Sequence, residues 1–171
     1  FYSLNNIQGT LNMLEAARQN GVKKFVYLSD LGVYEGNTQA RIDENTSPVA
    51  VSERYKAILE GENICNFYRD NQMDIEIVRV GEVYGGFDKY IVPTGIVESL
   101  TKKVLNSGNI LCNKNKVHLI TYLSDAIEAV YQTIAKKTDG SGVIFVPGEN
   151  KTEQEIVSEI AKAIKRAGNK Q

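Results

Sequence analysis

The sequence predicts an α/β fold built on a parallel, doubly wound sheet. Helical and extended patterns alternate along the 171 residues. The extended runs are short and apolar, as strands buried on both faces are. Polar, glycine-bearing loops separate them, with no internal repeat and no low-complexity tract.

The first helical pattern places Ile7, Leu11, Leu14 and Ala17 on one face, with Gln8, Asn12, Glu15 and Arg18 between them. Asn20-Gly21 supplies a glycine stop. The chain opens with Phe1 already inside this pattern, which predicts the carboxy-terminal part of something longer. Residues 23–29 follow as a buried strand. Residues 35–48 make a long polar loop, and residues 49–70 a helix with Ile58, Ile64 and Phe67 as core positions. Ile75, Ile77 and Val78 mark a strand over 74–80 that runs into Gly81-Glu82-Val83-Tyr84-Gly85-Gly86. A helix over 96–105, extended pieces over 109–112 and 117–123, and a helix over 124–135 come next, with Ser124 or Asp125 as N-cap. A strand over 142–146 precedes a last helix from 152 to about 167, opened by a Thr152–Glu155 capping box.

Composition narrows the function. A net charge of −1 gives no electrostatic case for nucleic acid or an anionic membrane. No apolar run has the length of a membrane span and no signal peptide is visible, so a cytoplasmic protein is expected. Cys65 and Cys112 lack metal-ligand spacing and read as buried thiols in a reducing compartment. His118 is the single histidine, which argues against zinc catalysis and a Ser-His-Asp triad; no metal site is predicted.

Several strings, in order, resemble the extended short-chain dehydrogenase/reductase family, the NAD-dependent epimerases and dehydratases. Asn6-Ile7-Gln8-Gly9-Thr10 with Leu14-Glu15-Ala16-Ala17-Arg18 resembles a family helix. Gly21-Val22-Lys23-Lys24-Phe25-Val26-Tyr27-Leu28-Ser29 resembles the strand that delivers a catalytic Ser/Thr. Gly32-Val33-Tyr34, Val83-Tyr84-Gly85, Tyr122-Leu123-Ser124-Asp125-Ala126, and the closing stretch Phe145 to Gly148 with Thr152-Glu153-Gln154-Glu155-Ile156 are similar to later family segments. The resemblance implies a Rossmann-like sheet. Residues 1–92 would be the second half of a dinucleotide-binding domain, and 93–171 substrate-domain elements mixed with the last Rossmann strand and a terminal helix. It implies NAD or NADP as cofactor and a nucleotide sugar as small-molecule ligand. It also implies a homodimer built on the first helix and helix 49–70, with Leu14, Ile58 and Phe67 in the interface or the core. The glycine-bearing stretches 32–36, 81–86 and 140–148 lack the spacing of a pyrophosphate loop before a helix. An upstream portion, or another chain supplying that half, is therefore expected to cover the sheet edge.

The family chemistry needs a tyrosine one helical turn before a lysine, so that both share a face, and a Ser/Thr hydroxyl. By resemblance the lysine is Lys56, a cofactor-ribose ligand, although a solvated helix lysine is the bland alternative. Ser52 stands where the tyrosine belongs, and no tyrosine in the chain has a lysine four residues later. Tyr55 lies about 100° around the helix from Lys56 and is expected to point elsewhere. The Ser/Thr position falls on Asp30, with Ser29 one step before it; an Asp30–Lys56 ion pair is one reading. Asn6 and Ser29 are the other candidate cofactor contacts. Tyr34, Glu82, Arg79 and His118 are the candidate substrate contacts. Glu82 replaces a family Asn and His118 a diphosphate-gripping Arg, changes that disfavour a doubly anionic ligand. A structural ion pair explains Arg79 equally well, and a strand position with partial exposure explains His118. Three functions stay open: an atypical enzyme of this family, a non-catalytic dinucleotide-binding or scaffolding member, and an inactive fragment.

Overall fold

The structure is a computed structural model that describes residues 3–39, 41–69, 73–85, 95–107, 110–136, 142–146 and 148–168. The chain divides into two compact units, Phe1–Val80 with Ser124–Val146, and Gly81–Leu123 with Pro147–Gln171.

The first unit holds a parallel sheet in the order β1 (Lys24–Asp30), β2 (Asp74–Val80), β5 (Val143–Phe145). Lys24 lies opposite Asp74 and Asp30 opposite Val80, so β1 and β2 pair along their whole length. Side chains of β2 alternate between faces. Ile75 and Ile77 enter a core with Leu14 and Ala17 of α1 (Gly9–Gln19) and Cys65 of α2 (Glu53–Arg69). Val78 and Val80 pack with Ala126, Ala129 and Val130 of α4 (Leu123–Ala135). Helices thus cover both faces, as the apolar runs require.

A π-helical stretch, Ser3–Gln8, leads directly into α1. That helix ends as the sequence predicts. Gly21 has φ +65, its N–H bonds to Arg18 O, and the Val22 N–H bonds to Ala17 O. This double closure is the Schellman pattern, and glycine takes the left-handed position without a Cβ penalty.

Helix α2 departs from expectation. Phe67 is 75% exposed and Ile58 half-buried, whereas Ile64 packs against the core as expected, and Ala57, Gly61, Glu62 and Cys65 form the buried stripe. Small residues let the helix lie close to the sheet. A Cβ at Gly61 would run into the hydroxyl of Tyr27, which itself donates to Ile58 O at 3.3 Å. Leu14 is fully buried in the core and unavailable to a subunit interface.

The second unit has a small mixed sheet, β3 (Glu82–Tyr84), β4 (Val117–Tyr122) and β6 (Glu149–Thr152), with β4 parallel to β3 and antiparallel to β6. Helices α3 (Ile96–Ser107) and α5 (Glu153–Gly168) supply Leu100, Ile156 and Ile160, which bury Ile120. The capping box is present: the Thr152 N–H and Oγ1 bond to Glu155 Oε2, and the Glu155 N–H returns to Thr152 Oγ1. By contrast, α4 starts at Leu123, and Ser124 bonds to the Asp125 carboxylate instead of capping. Residues 110–112 form no strand, and Asp70, Gly86, Asn109 and Gly140 lie outside the described residues. No described helix is long and apolar enough to cross a membrane.

Burial pushes the Cys65 thiol up to about 12, whereas Cys112 is only half-buried. In a thiol-reagent assay at pH 8, Cys112 is expected to react promptly and Cys65 only when denaturant opens the core. Two equally fast thiols in the native protein would contradict this packing.

Candidate functional site

The candidate site is built at the carboxyl end of β1, where the chain leaves the sheet and passes through a 3-10 turn, Leu31–Tyr34. Ligands of open parallel sheets bind outside such strand ends. Asp30 accepts the Gly32 N–H at 2.8 Å, which fixes the turn, and its other oxygen meets Arg54 at 3.2 Å. Lys56 pairs with Glu53 at 3.1 Å. The Asp30–Lys56 ion pair is therefore replaced by two others. Residues 54 and 56 stand about 200° apart on the helix, so only one of them faces β1, while residues 53 and 56 share a side.

Ser52 serves the helix. It immediately precedes α2, its Oγ accepts the Tyr55 N–H at 3.5 Å, and its own N–H donates to Glu35. That is the work of an N-cap hydroxyl. Burial tends to raise the Glu35 carboxyl, but bonds from Ser52 and Val51 outweigh it and hold the group below the usual range. The Asn6 carbonyl accepts from Thr10 Oγ1 at 2.7 Å, which ties it to the α1 entry. Tyr55 and Lys56 point to different sides: the Tyr55 ring lies against Gly32, in space that a Cβ there would occupy, while Lys56 meets Glu53. The Arg54 guanidinium stands 5.2 Å from the centre of that ring.

Beneath this surface runs a buried polar network. Arg79 is on the same β2 face as Ile75 and Ile77, and it reaches Glu62 of α2 with Nε at 2.9 Å and Nη2 at 2.5 Å. Ser29 donates its hydroxyl to the same carboxylate. Arg79 Nη1 donates to the Tyr34 hydroxyl, which donates in turn to Thr46 O at 3.1 Å. Phe145 packs edge-on against Tyr34 at 5.6 Å. Burial works against the Arg79 charge, but the Glu62 bond and charge prevail and raise its pKa. Burial likewise raises the Tyr34 phenol. Ser29, Arg79 and Tyr34 are thus gathered as one cluster, with every member turned inward. Glu62, absent from the sequence-derived site, is its centre. One signal did point to it: an arginine on the core face of a strand needs a buried anion.

In the second unit His118 sits between two carboxylates, with Nδ1 at 2.6 Å from Glu82 and Nε2 at 3.4 Å from Glu153. It is 6% exposed, so the expectation of a partly exposed strand histidine gives way to a buried, doubly bonded one. The N–H of Asn113 is the main influence holding the Glu153 carboxyl below its usual range, with His118 adding to it. Both ring nitrogens are committed, which leaves this histidine without a donor for a phosphate.

A parallel sheet with helices on both faces and a polar turn at the β1 end is a Rossmann-like α/β arrangement. The chain belongs to the NAD-dependent epimerase/dehydratase family, whose model matches residues 1–148. It is 30% identical over 138 residues to YtcB of Bacillus subtilis (strain 168), described as an uncharacterized UDP-glucose epimerase, a match covering 79% of this chain and 42% of that one. It is 27% identical over 163 residues to a UDP-N-acetyl-alpha-D-glucosaminuronate decarboxylase of Bacillus cytotoxicus (strain DSM 22905 / CIP 110041 / 391-98 / NVH 391-98), covering 91% of this chain and 50% of that protein. The UDP-glucuronic acid 4-epimerase of Bacillus cereus, solved with UDP-glucuronic acid and NAD, superposes with a TM-score of 0.82 at 27% identity, over 93% of this chain and 51% of that one. The chain therefore spans about half the length of the relatives it matches.

Two outcomes test this geometry. Arg79→Met and Glu62→Gln should each lower stability by about 3–5 kcal/mol in urea unfolding, because each strands a buried partner. The double variant Arg79→Met/Glu62→Gln should lose less than the sum of the two single changes. The Glu153 carboxyl lies below its ordinary value, so its stabilisation is present above the usual carboxylate range and is lost as pH falls through the folded value. Glu153→Gln should flatten the acid limb of the stability–pH curve.

Proposed function

We propose that this chain is the carboxy-terminal part of an NAD(P)-dependent nucleotide-sugar epimerase/dehydratase-like protein, altered at the two hydroxyl positions of the usual chemistry. The observation that carries the reading is the start of α2 beside the β1 end, with Ser52 as its cap and Lys56 one turn further along, on the flank shared with Glu53. Family membership and neighbours bound to NAD support the cofactor, and relatives named for UDP-sugars support the ligand. Lys56 is exposed and its surface pair with Glu53 is worth less than about 1 kcal/mol, which leaves it able to turn to a ribose. Ser29 fits less well as a cofactor contact, because its hydroxyl is spent on Glu62. The pyrophosphate loop would come from the half of the fold that lies outside this chain, either in the same polypeptide or from a partner.

A second reading, a non-catalytic dinucleotide-binding member, is favoured by the closure of Asp30 onto Arg54 and of His118 onto two carboxylates. Titration of the complete protein with NAD and NADH, followed by turnover assays on UDP-glucose and UDP-glucuronic acid, separates the two. Binding with turnover supports the first reading, and binding without turnover the second. Failure to bind either cofactor at millimolar concentration would remove both.

A further inference from the structure

Asn20-Gly21 is the only asparagine–glycine step in the chain, and it stands at the exposed carboxyl end of α1. In such a step the glycine main-chain nitrogen can attack the side-chain amide carbon of the asparagine, because no Cβ shields that nitrogen. The folded helix end opposes the attack in two ways. The nucleophile is occupied, since the Gly21 N–H is bonded to Arg18 O at 3.2 Å. The target is turned away, since the Asn20 side chain folds back over the last turn and its Nδ2 donates to Ala16 O at 2.8 Å. The same carbonyl accepts the Asn20 N–H at 3.1 Å, so the amide lies beside the asparagine's own nitrogen and not beside that of Gly21. The Val22 N–H, bonded to Ala17 O at 3.0 Å, closes the turn behind them. One residue further on, Lys23 O accepts the Asp74 N–H at 2.9 Å, so these few residues carry the chain from α1 into the β1–β2 pairing.

We propose that Asn20 is a conformationally gated deamidation site, silent while the end of α1 is closed and converted to aspartate and isoaspartate when that turn opens. In the open turn the Gly21 nitrogen, having given its proton to solvent, attacks Asn20 Cγ. The new C–N bond closes a succinimide ring, the Cγ–Nδ2 bond breaks, and ammonia leaves with a proton from water. Water then opens the ring. Addition at Cγ gives aspartate, and addition at the main-chain carbonyl carbon gives isoaspartate, whose backbone runs through the side chain. One water is consumed and one ammonia released, with no other reagent. Neither product rebuilds the closure. A carboxylate has no N–H for Ala16 O, and its charge meets the negative end of the helix dipole. Isoaspartate also lengthens the backbone between Arg18 and Gly21, whose bond it displaces. The change is therefore one-way, and it marks molecules in which the junction of α1 and β1 has opened.

Peptide mapping of the complete protein, held in mildly alkaline buffer with and without unfolding concentrations of urea, reads the rate from the mass gain of an amide turned into an acid. Conversion at Asn20 should be at least about tenfold slower in the folded protein, because it waits on opening of the turn. Val22→Pro removes one of the closing N–H groups and leaves the Asn20-Gly21 step intact. Gln19→Gly, an exposed and milder change, weakens the last turn without touching those bonds. Both folded variants should convert Asn20 faster than the folded wild type, and all three proteins should agree in urea. Equal rates in folded and unfolded protein, no conversion in urea, or folded variants that keep Asn20 as long as the wild type would overturn the proposal.

Discussion

The ion pair between Arg79 and Glu62 is the constraint on which the first unit depends. An arginine placed on the inward face of the central strand must find a carboxylate, since an unpaired charge there is prohibitively costly. Glu62 meets it with two bonds and brings α2 onto the sheet at a fixed height. Ser29 joins β1 to the same carboxylate, and Tyr34 carries the connection through the 3-10 turn to Thr46. Such a network adds little net stability over a hydrophobic packing of equal volume. What it gives is position, because each partner has one place in which every bond is made.

That position decides what the strand end can present. With Ser29 turned down to Glu62, the surface of the turn belongs to Asp30, Gly32 and the first residues of α2. Ser52 is spent on capping the start of α2. The Ser29 and Ser52 hydroxyls are thus both engaged in structural work. The Tyr55 ring lies against Gly32, whose missing side chain makes room for it.

The second unit shows the same economy. His118, Glu82 and Glu153 come from β4, β3 and the start of α5, and they bond to one another across those elements. A doubly held imidazole stitches the small sheet to its helix. The sheet itself is held mainly by Ile120, Leu100, Ile156 and Ile160 on its helical side.

Much of the architecture was legible in the sequence, since period-two and period-3.6 patterns report directly which face is buried. They gave β1, β2, α1, α5, the Gly21 stop and the Thr152–Glu155 cap to within a residue or two. Strands β3 and β6 escaped because each is only three or four residues long, and Glu149–Thr152 carries no apolar signal at all. The buried stripe of α2 was misassigned because Ala57, Gly61 and Cys65 are small, and close approach selects small residues where a hydrophobic count favours Ile58 and Phe67. Sequence by itself determined the fold class, the family resemblance, and the absence of a tyrosine four residues before Lys56. Only the tertiary structure decided which charges pair and which phenol reaches the strand end. Those outcomes turn on helix rotation and on distances between residues remote in the chain, such as Ser29 with Glu62 and Gly32 with Tyr55, and no local pattern encodes them.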